Sequence, residues 1–186
     1  AGTVDVSTLG WGTNFFDYDN DGYLDLYVVN GTAYGLENDQ DIGTVRSDKL
    51  YKNSGDGKFT DVASAEGING SFNKEPGAFA DYNNDGFTDI FVVSRYLEGE
   101  SEARLYKNTG NSNNWITIEL KGTKSNKDAV GAKIILKSGG KTQIREIIAG
   151  SSFLSQNSLW QTFGLGRVKV IEEIQVIWPD GGEKIL

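Results

Sequence analysis

Cysteine, histidine and methionine are absent from the 186 residues, and proline occurs only twice. Without cysteine there is no disulfide framework, no reactive thiol and no zinc ribbon. Without histidine the commonest general base and the commonest transition-metal ligand are both missing. Two prolines exclude a proline-rich linker. No run of 18 apolar residues occurs, so no segment reads as a membrane-spanning helix and no membrane insertion is expected. The chain opens Ala1-Gly2-Thr3, with no initiator methionine and no charged-then-apolar leader, and reads as processed or cut from something longer. No basic tract is dense enough to attract nucleic acid.

What is present is glycine (24 residues), a full set of aromatics (9 Phe, 8 Tyr, 4 Trp) and a 38% hydrophobic content. That composition supports a packed core joined by many tight turns. The net charge of −8 is unevenly spread. Residues 1–110 hold 19 acidic and 8 basic side chains, a balance of −11, whereas residues 111–186 hold 7 acidic and 10 basic, a balance of +3. An acidic first part and a mildly basic second part are expected to be different modules.

The first part repeats itself. GTNFFDYDNDGYLDLYVVN (12–30) aligns with PGAFADYNNDGFTDIFVVS (76–94) at an offset of 64, and KLYKNSGDGKF (49–59) aligns with RLYKNTGNSNNW (104–115) at an offset of 55. Each unit reads as short strands around an acidic loop, with Leu24–Asn30 and Thr88–Ser94 leaving the loops as Val- and aromatic-rich strands. Leu50–Asn53 is a third strand, Asp56-Gly57 a hairpin turn, and Lys58–Val62 a fourth strand. Four antiparallel strands in such a unit resemble a β-propeller blade. Propellers need about four to eight blades, so two imply an incomplete propeller or some other way of burying the faces. After residue 114 the acidic loops stop. WITIELKG, VGAKIILKSGGKTQIREIIAG, LWQTFGLG and VIEEIQVIWPDGG are β-rich pieces with glycine-rich connections, and Gly139-Gly140 reads as a hairpin tip. The expected class is all-β, with residues 1–112 forming two repeats (about 10–68 and 74–112) and residues 113–186 a second β-domain.

Four aspartates within nine residues repel one another unless a cation sits among them. In both loops oxygen-bearing side chains fall at positions 1, 3, 5 and 9: Asp17, Asp19, Asp21 and Asp25, then Asp81, Asn83, Asp85 and Asp89. Position 6 is Gly22 or Gly86, which permits a sharp turn with positive φ. Position 7, Tyr23 or Phe87, then offers a backbone carbonyl. Calcium takes six to eight hard oxygens in a flexible shell, and magnesium demands a tighter octahedron. An EF-hand would need a glutamate at position 12, where this chain has Val28 and Val92, so that reading fails. The competing reading is a solvated Asx-rich turn. Repetition of the whole pattern at equivalent places favours two calcium ions, which would move the formal charge from −8 to about −4.

FFDYDNDGYLDLYVVN and AFADYNNDGFTDIFVVS resemble FG-GAP/VCBS repeats, the calcium-binding blades of integrin-α-type propellers. LYKNSGDGKFTDVASAEGI (50–68) is similar to the stretch that follows the loop in those repeats. GAKIILKSGGKTQIREIIAGSSFLSQNSLWQTFGLG through IQVIWPDGG resembles the ASPIC/UnbV domain that ends such chains, a pairing found in the cartilage acidic protein-like family. Thr162 stands where members of that family often carry histidine before the FGLG phenylalanine. The resemblance implies two propeller-like blades, an antiparallel ASPIC/UnbV-type β-domain, and structural calcium at the ten loop positions named above.

The remaining candidates are weaker. Ser151–Ser158 is a polar run that reads as a loop, because a serine nucleophile lacks a base nearby. Trp115, Trp160 and Trp178 lie in β-runs and read as core, with a sugar-stacking platform as the alternative. Asn30-Gly31-Thr32 and Asn69-Gly70-Ser71 match the glycosylation acceptor pattern. No isolated carboxylate pair in an apolar setting suggests a glycosidase. The expected function is an extracellular, cell-surface or periplasmic calcium-binding adhesion or interaction module, not an enzyme. Its partner would be a protein or glycan, with assembly onto further blades or self-association as possible modes. A carbohydrate-binding module is the alternative.

Overall fold

The computed structural model describes residues 9–31, 47–68, 74–94 and 103–186. Among the described residues there are thirteen strands and no helix, and no sheet closes into a barrel. The first blade is a four-stranded antiparallel sheet in the order β1 (Leu9–Phe16), β2 (Asp25–Gly31), β3 (Lys49–Asn53), β4 (Phe59–Asp61). The second holds β5 (Lys74–Ala80), β6 (Asp89–Ser94) and β7 (Ala103–Tyr106) in the same meander. The first strand of each carries a bulge, between Gly10 and Gly12 in β1 and between Glu75 and Ala78 in β5. An extra residue there increases the local twist of a strand.

The two blades share one core. Phe16, Tyr27, Val29 and Leu50 from the first pack with Phe79, Ile90 and Val92 from the second. The Phe79 ring lies 5.3 Å from that of Phe16 and 5.6 Å from that of Tyr27, the latter edge-on. Burial of such side chains contributes roughly 1.5–3 kcal/mol each.

The second blade has three strands where the repeat suggests four. Its fourth-strand segment becomes β8 (Asn114–Ile118), which pairs instead with β11 (Gln161–Gly166). The turn explains the difference. Between β3 and β4, Gly55 and Gly57 both adopt positive φ, 78° and 82°, and Ser54 N donates to Lys58 O at 3.0 Å. The second turn keeps Gly110 (φ 70°) but has Ser112 in place of Gly57, so the chain does not fold back.

β9 (Lys133–Ser138) and β10 (Lys141–Glu146) form the hairpin expected around Gly139-Gly140, and β12 (Glu173–Ile177) and β13 (Glu183–Ile185) complete the sheet β10-β9-β12-β13. This sheet and the β8–β11 ribbon enclose a second core of Ala129, Ala132, Ile134, Leu136, Ile147 and Phe163. The Ser151–Ser158 run bridges the first strands of the two blades. Ser152 Oγ accepts from Thr13 N (3.1 Å), Asn157 Nδ2 donates to Asn14 Oδ1 (2.8 Å), and Ser158 N donates to Phe79 O (3.0 Å). The run is a structural loop that ties β1 to β5.

Candidate metal centre

The two acidic loops share the same amide-to-carboxylate bonds. In the first, Asp17 accepts from the amides of Asp21 (3.0 Å) and Gly22 (2.8 Å), and Asp21 accepts from Tyr23 N (2.9 Å). In the second, Asp81 accepts from Asp85 N (3.0 Å) and Gly86 N (2.7 Å), and Asp85 accepts from Phe87 N (3.0 Å). The position-9 aspartates staple the loop to the following strand pair. Asp25 accepts from Tyr18 N and Asn53 N at 3.0 and 2.8 Å, and Asp89 from Tyr82 N and Asn108 N at 3.1 and 2.7 Å. Gly22 and Gly86 turn at φ 90° and 88°, with Asn20 and Asn84 left-handed two residues earlier. Asparagine tolerates that region better than most residues.

Carboxylate oxygens of Asp17, Asp19 and Asp21 lie within 4.8 Å of one another. Asp25 is fully buried beneath them, with both its oxygens bonded to amides, outside that three-residue cluster. In the second loop Asn83 replaces the middle carboxylate and donates to Asp85 Oδ2 at 2.8 Å, so three carboxylates do not converge there.

Burial pushes the Asp17 carboxyl up to about 7, against amide bonding from Gly22, with Asp21 and Asp19 adding repulsion. Burial also carries Asp25 to about 7, against the amides of Asn53 and Tyr18. Asp89 is raised for the same first reason, burial. One cation already leans on the cluster: Lys52 Nζ bonds Asp19 and lies 3.6 Å from Asp21 Oδ2. Burial works to lower the Lys52 ammonium, and the bond to Asp19 with the charges of Asp21 and Asp25 outweighs it. Lys52, with the Arg145 guanidinium acting on Asp17, sets two positive charges against Asp17, Asp19, Asp21 and Asp25 and leaves negative charge in excess. An all-oxygen donor set, converging and short of positive charge, fits a hard divalent cation of calcium type. Asp17, Asp19, Asp21 and the Tyr23 carbonyl would hold it, with Asp25 at the base. At the second loop the corresponding groups are Asp81, Asn83, Asp85, Phe87 and Asp89.

Comparison with known proteins divides the chain at the same features. The FG-GAP-like repeat family matches residues 17–92, spanning both loops, and the ASPIC and UnbV family matches residues 122–186. The chain is thus similar to FG-GAP-like repeats in its first part and to the ASPIC and UnbV domain in its last. Cartilage acidic protein 1 of Mus musculus is 29% identical over 172 residues, covering 89% of this chain and 25% of that protein. The Homo sapiens protein of that name is 28% identical over 172 residues, covering 89% and 24%, and the Xenopus tropicalis protein is 35% identical over 112 residues, covering 56% and 16%. The chain spans about a quarter of the length of the first two.

The stretch after β7 and the ASPIC/UnbV match supply residues that the repeat pattern did not reveal. Four consecutive carbonyls of the first FG-GAP loop are capped from outside it. Tyr18 O accepts from Asn108 Nδ2 (2.7 Å) and Asp19 O from Asn111 and Asn113 Nδ2 (2.7 and 2.9 Å). Asn20 O accepts from Gly166 N (2.9 Å) and Asp21 O from Lys141 Nζ (2.9 Å), whose ammonium also sits 3.6 Å from the centre of the Tyr23 ring. The glycines of FGLG allow this approach. A Cβ on Gly164 would lie 2.2 Å from Asp17 Oδ2 and 2.4 Å from the carbonyl carbon of Asn20. Gly164→Ala is therefore expected to cost about 1–3 kcal/mol in urea unfolding. A variant as stable as the parent would show that β11 and the loop do not press together.

Trp115 does not stand free as a sugar platform, because its ring lies against Gly86 of the second loop. Trp178 packs on the ASPIC/UnbV core, whereas Trp160 is half exposed. Thr162, in the position of the family histidine, pairs its hydroxyl with that of Thr117 at 3.0 Å. Asn30 is fully buried and its amide donates to Ser47 O at 2.8 Å, so it cannot accept a glycan in this fold. Asn69 lies outside the described residues.

Proposed function

We propose that this chain is an extracellular calcium-binding adhesion or protein-interaction module, with calcium as a structural ion and no catalytic role. The twin loops, identical in their amide-to-carboxylate bonding, carry the reading. Calcium would supply charge neutralisation and oxygen cross-linking at the point where each blade turns. Sites of extracellular modules fill at about 10⁻⁴–10⁻³ M calcium, which is found outside cells and not in cytosol. The relatives' name, cartilage acidic protein, points to the same setting. Against an enzyme stand the lack of histidine and the use of the Ser151, Ser152 and Ser158 hydroxyls as acceptors for backbone amides.

Isothermal titration of chelator-treated protein is expected to give two calcium ions per chain. Asp17→Ala and Asp81→Ala should each remove one. The first loop, with three converging carboxylates and four capped carbonyls, should bind more tightly than the second. A stoichiometry of zero rejects the reading.

A second reading rests on the cavity of about 280 Å³ between the blades and the ASPIC/UnbV domain. Trp160 borders it beside the hydroxyls and amides of Ser158, Gln161 and Asn157, a lining suited to a sugar. Saturable glycan binding abolished by Trp160→Ala would favour a carbohydrate-binding module.

A further inference from the structure

The two acidic loops are linked to each other, and the links end on carboxylates proposed to hold calcium. One bridge is Asn108. Its backbone amide donates to Asp89 Oδ1 of the second loop (2.7 Å), and its side-chain amide donates to Tyr18 O of the first (2.7 Å). The Tyr18 amide in turn donates to Asp25 Oδ2 (3.0 Å). The position-9 carboxylates of the two loops are thus joined through Tyr18 and Asn108. The other bridge is Asn20. Its Nδ2 donates to Gly86 O (3.0 Å), and Gly86 N donates to Asp81 Oδ2 (2.7 Å).

Neither bridge is needed to build a single loop. Asn53 is the counterpart of Asn108 in the other repeat. Its backbone amide bonds Asp25, its Oδ1 accepts from Gly55 N (2.9 Å), and its Nδ2 donates to Leu24 O of its own blade (2.9 Å). Asn108 repeats the first two bonds, with Asp89 and with Gly110 N (2.9 Å). Its Nδ2, however, lies 3.4 Å from Thr88 O and 2.7 Å from Tyr18 O, turned from its own blade to the neighbouring loop. Asn20 departs from its counterpart in the same sense. Asn84 is exposed, whereas Asn20 is fully buried. Its Oδ1 finds no donor among the described residues, so the bond to Gly86 is what fixes the side chain. A buried amide left half-bonded is unfavourable by itself.

We propose that these two bridges couple the sites, so that calcium in one loop raises the affinity of the other. The proposal rests on the calcium reading and makes Asn20 and Asn108 positioning residues, neither of them a ligand. Filling the first loop fixes Tyr18 O and the Asn20 side chain along with its carboxylates. Those groups hold Asn108 and Gly86, whose amides orient Asp89 and Asp81. The second ion then meets carboxylates already in place, and by reciprocity the second loop does the same for the first. Charge works in the opposite direction, since one bound ion weakens the pull of the remaining carboxylates on another. That repulsion is screened beyond about 8 Å at physiological salt. The sign of the coupling therefore separates the two effects.

Calorimetric calcium titration of the full chain at physiological salt tests it. Asp85→Ala leaves the first loop to bind alone and Asp19→Ala the second, each sparing the position-1 and position-9 carboxylates on which the bridges end. The parent's two-ion association constant is expected to exceed the product of the two single-loop constants by about tenfold. With Asn108→Ala added to all three proteins, that ratio should fall to about one, while the chain with both loops intact still binds two ions. Asn20→Gly should lower the ratio as well. It keeps the left-handed turn (φ 56°) and serves should Asn108→Ala fail to unfold cooperatively. Asn53→Ala, which loses the same local bonds but no bridge, should leave the ratio unchanged. Calcium added to Asp85→Ala should also slow hydrogen exchange at Gly86 and Asn108, beside a loop that holds no ion. Two bound ions with a parent ratio at or below about one overturn the coupling and leave the calcium reading standing. So does a ratio that neither Asn108→Ala nor Asn20→Gly moves. No bound ion overturns both.

Discussion

Chelator-treated protein is expected to gain about 2.7 kcal/mol of unfolding free energy for each loop that fills, when calcium stands at a hundredfold excess over its dissociation constant. The gain arises because the folded loop holds the carboxylates together and the unfolded chain does not. Asp17, Asp19 and Asp21 converge within 4.8 Å only when the loop is turned. The aspartates at position 9 pass the effect into the sheets, since Asp25 and Asp89 bond the amides of Asn53 and Asn108 at the ends of the neighbouring strands. Hydrogen exchange should follow the same route. Stripping calcium is expected to lower protection at Leu26–Val29 and Ile90–Val93, and at Gly166, whose amide donates to Asn20 O. Protection in β9 and β12, which surround the second core, should change least. Unchanged exchange at Leu26–Val29 on chelation would mean that the aspartates form only a solvated turn.

In the absence of metal, stability is expected to fall as the pH rises from about 4 to about 7. Asp17 and Asp25 are both raised from 3.8 to about 7 in the folded chain, with burial the first cause in each. A carboxyl with a raised folded pKa favours the folded state below its unfolded pKa, and that contribution is lost as the pH climbs through the folded value. Each pKa unit corresponds to about 1.4 kcal/mol, so the two groups together oppose folding at neutral pH by several kcal/mol. No histidine is present to titrate in the same window, which makes the response specific to the carboxylates. Bound calcium reverses the sign, because the coordinating carboxylates are then ionised in the folded state and acid displaces the metal. Urea midpoints at pH 4.5 and 7.5, with chelator and with calcium, should therefore cross. A metal-free midpoint that is flat or rises with pH would place Asp17 and Asp25 in contact with water.

The strand pattern and the acidic loops were legible in the sequence because their signals are local. Positive φ at Gly22 and Gly86 follows from position 6 of the loop, and the Gly139-Gly140 tip follows from two adjacent glycines. What the sequence hid depends on packing between distant segments. Exchange of Gly57 for Ser112 was visible as a letter, but its effect, the transfer of β8 to another sheet, is decided by what β11 offers in return. The capping side chains Asn111, Asn113 and Lys141 look like ordinary surface polar residues until their donors are seen to meet loop carbonyls. The Ser151–Ser158 run carries no periodicity, so nothing in it announces that it ties β1 to β5.

Capping of the first loop from so far along the chain sets an order of events during synthesis. The loop is complete by Asp25, yet the donor to Asn20 O is the amide of Gly166. At roughly 5–20 residues per second, translation reaches that glycine roughly 7–30 s after the loop has left the ribosome's catalytic centre. Local folding steps finish within about microseconds to milliseconds, so the carbonyls of Asn20 and Asp21 wait uncapped after Asn108, Asn111 and Asn113 have been made. A chain interrupted before Lys141 would keep both acidic loops and lose the caps on Asn20 O and Asp21 O. The ASPIC/UnbV domain, last to be made, is thus what finishes the earliest-made turn.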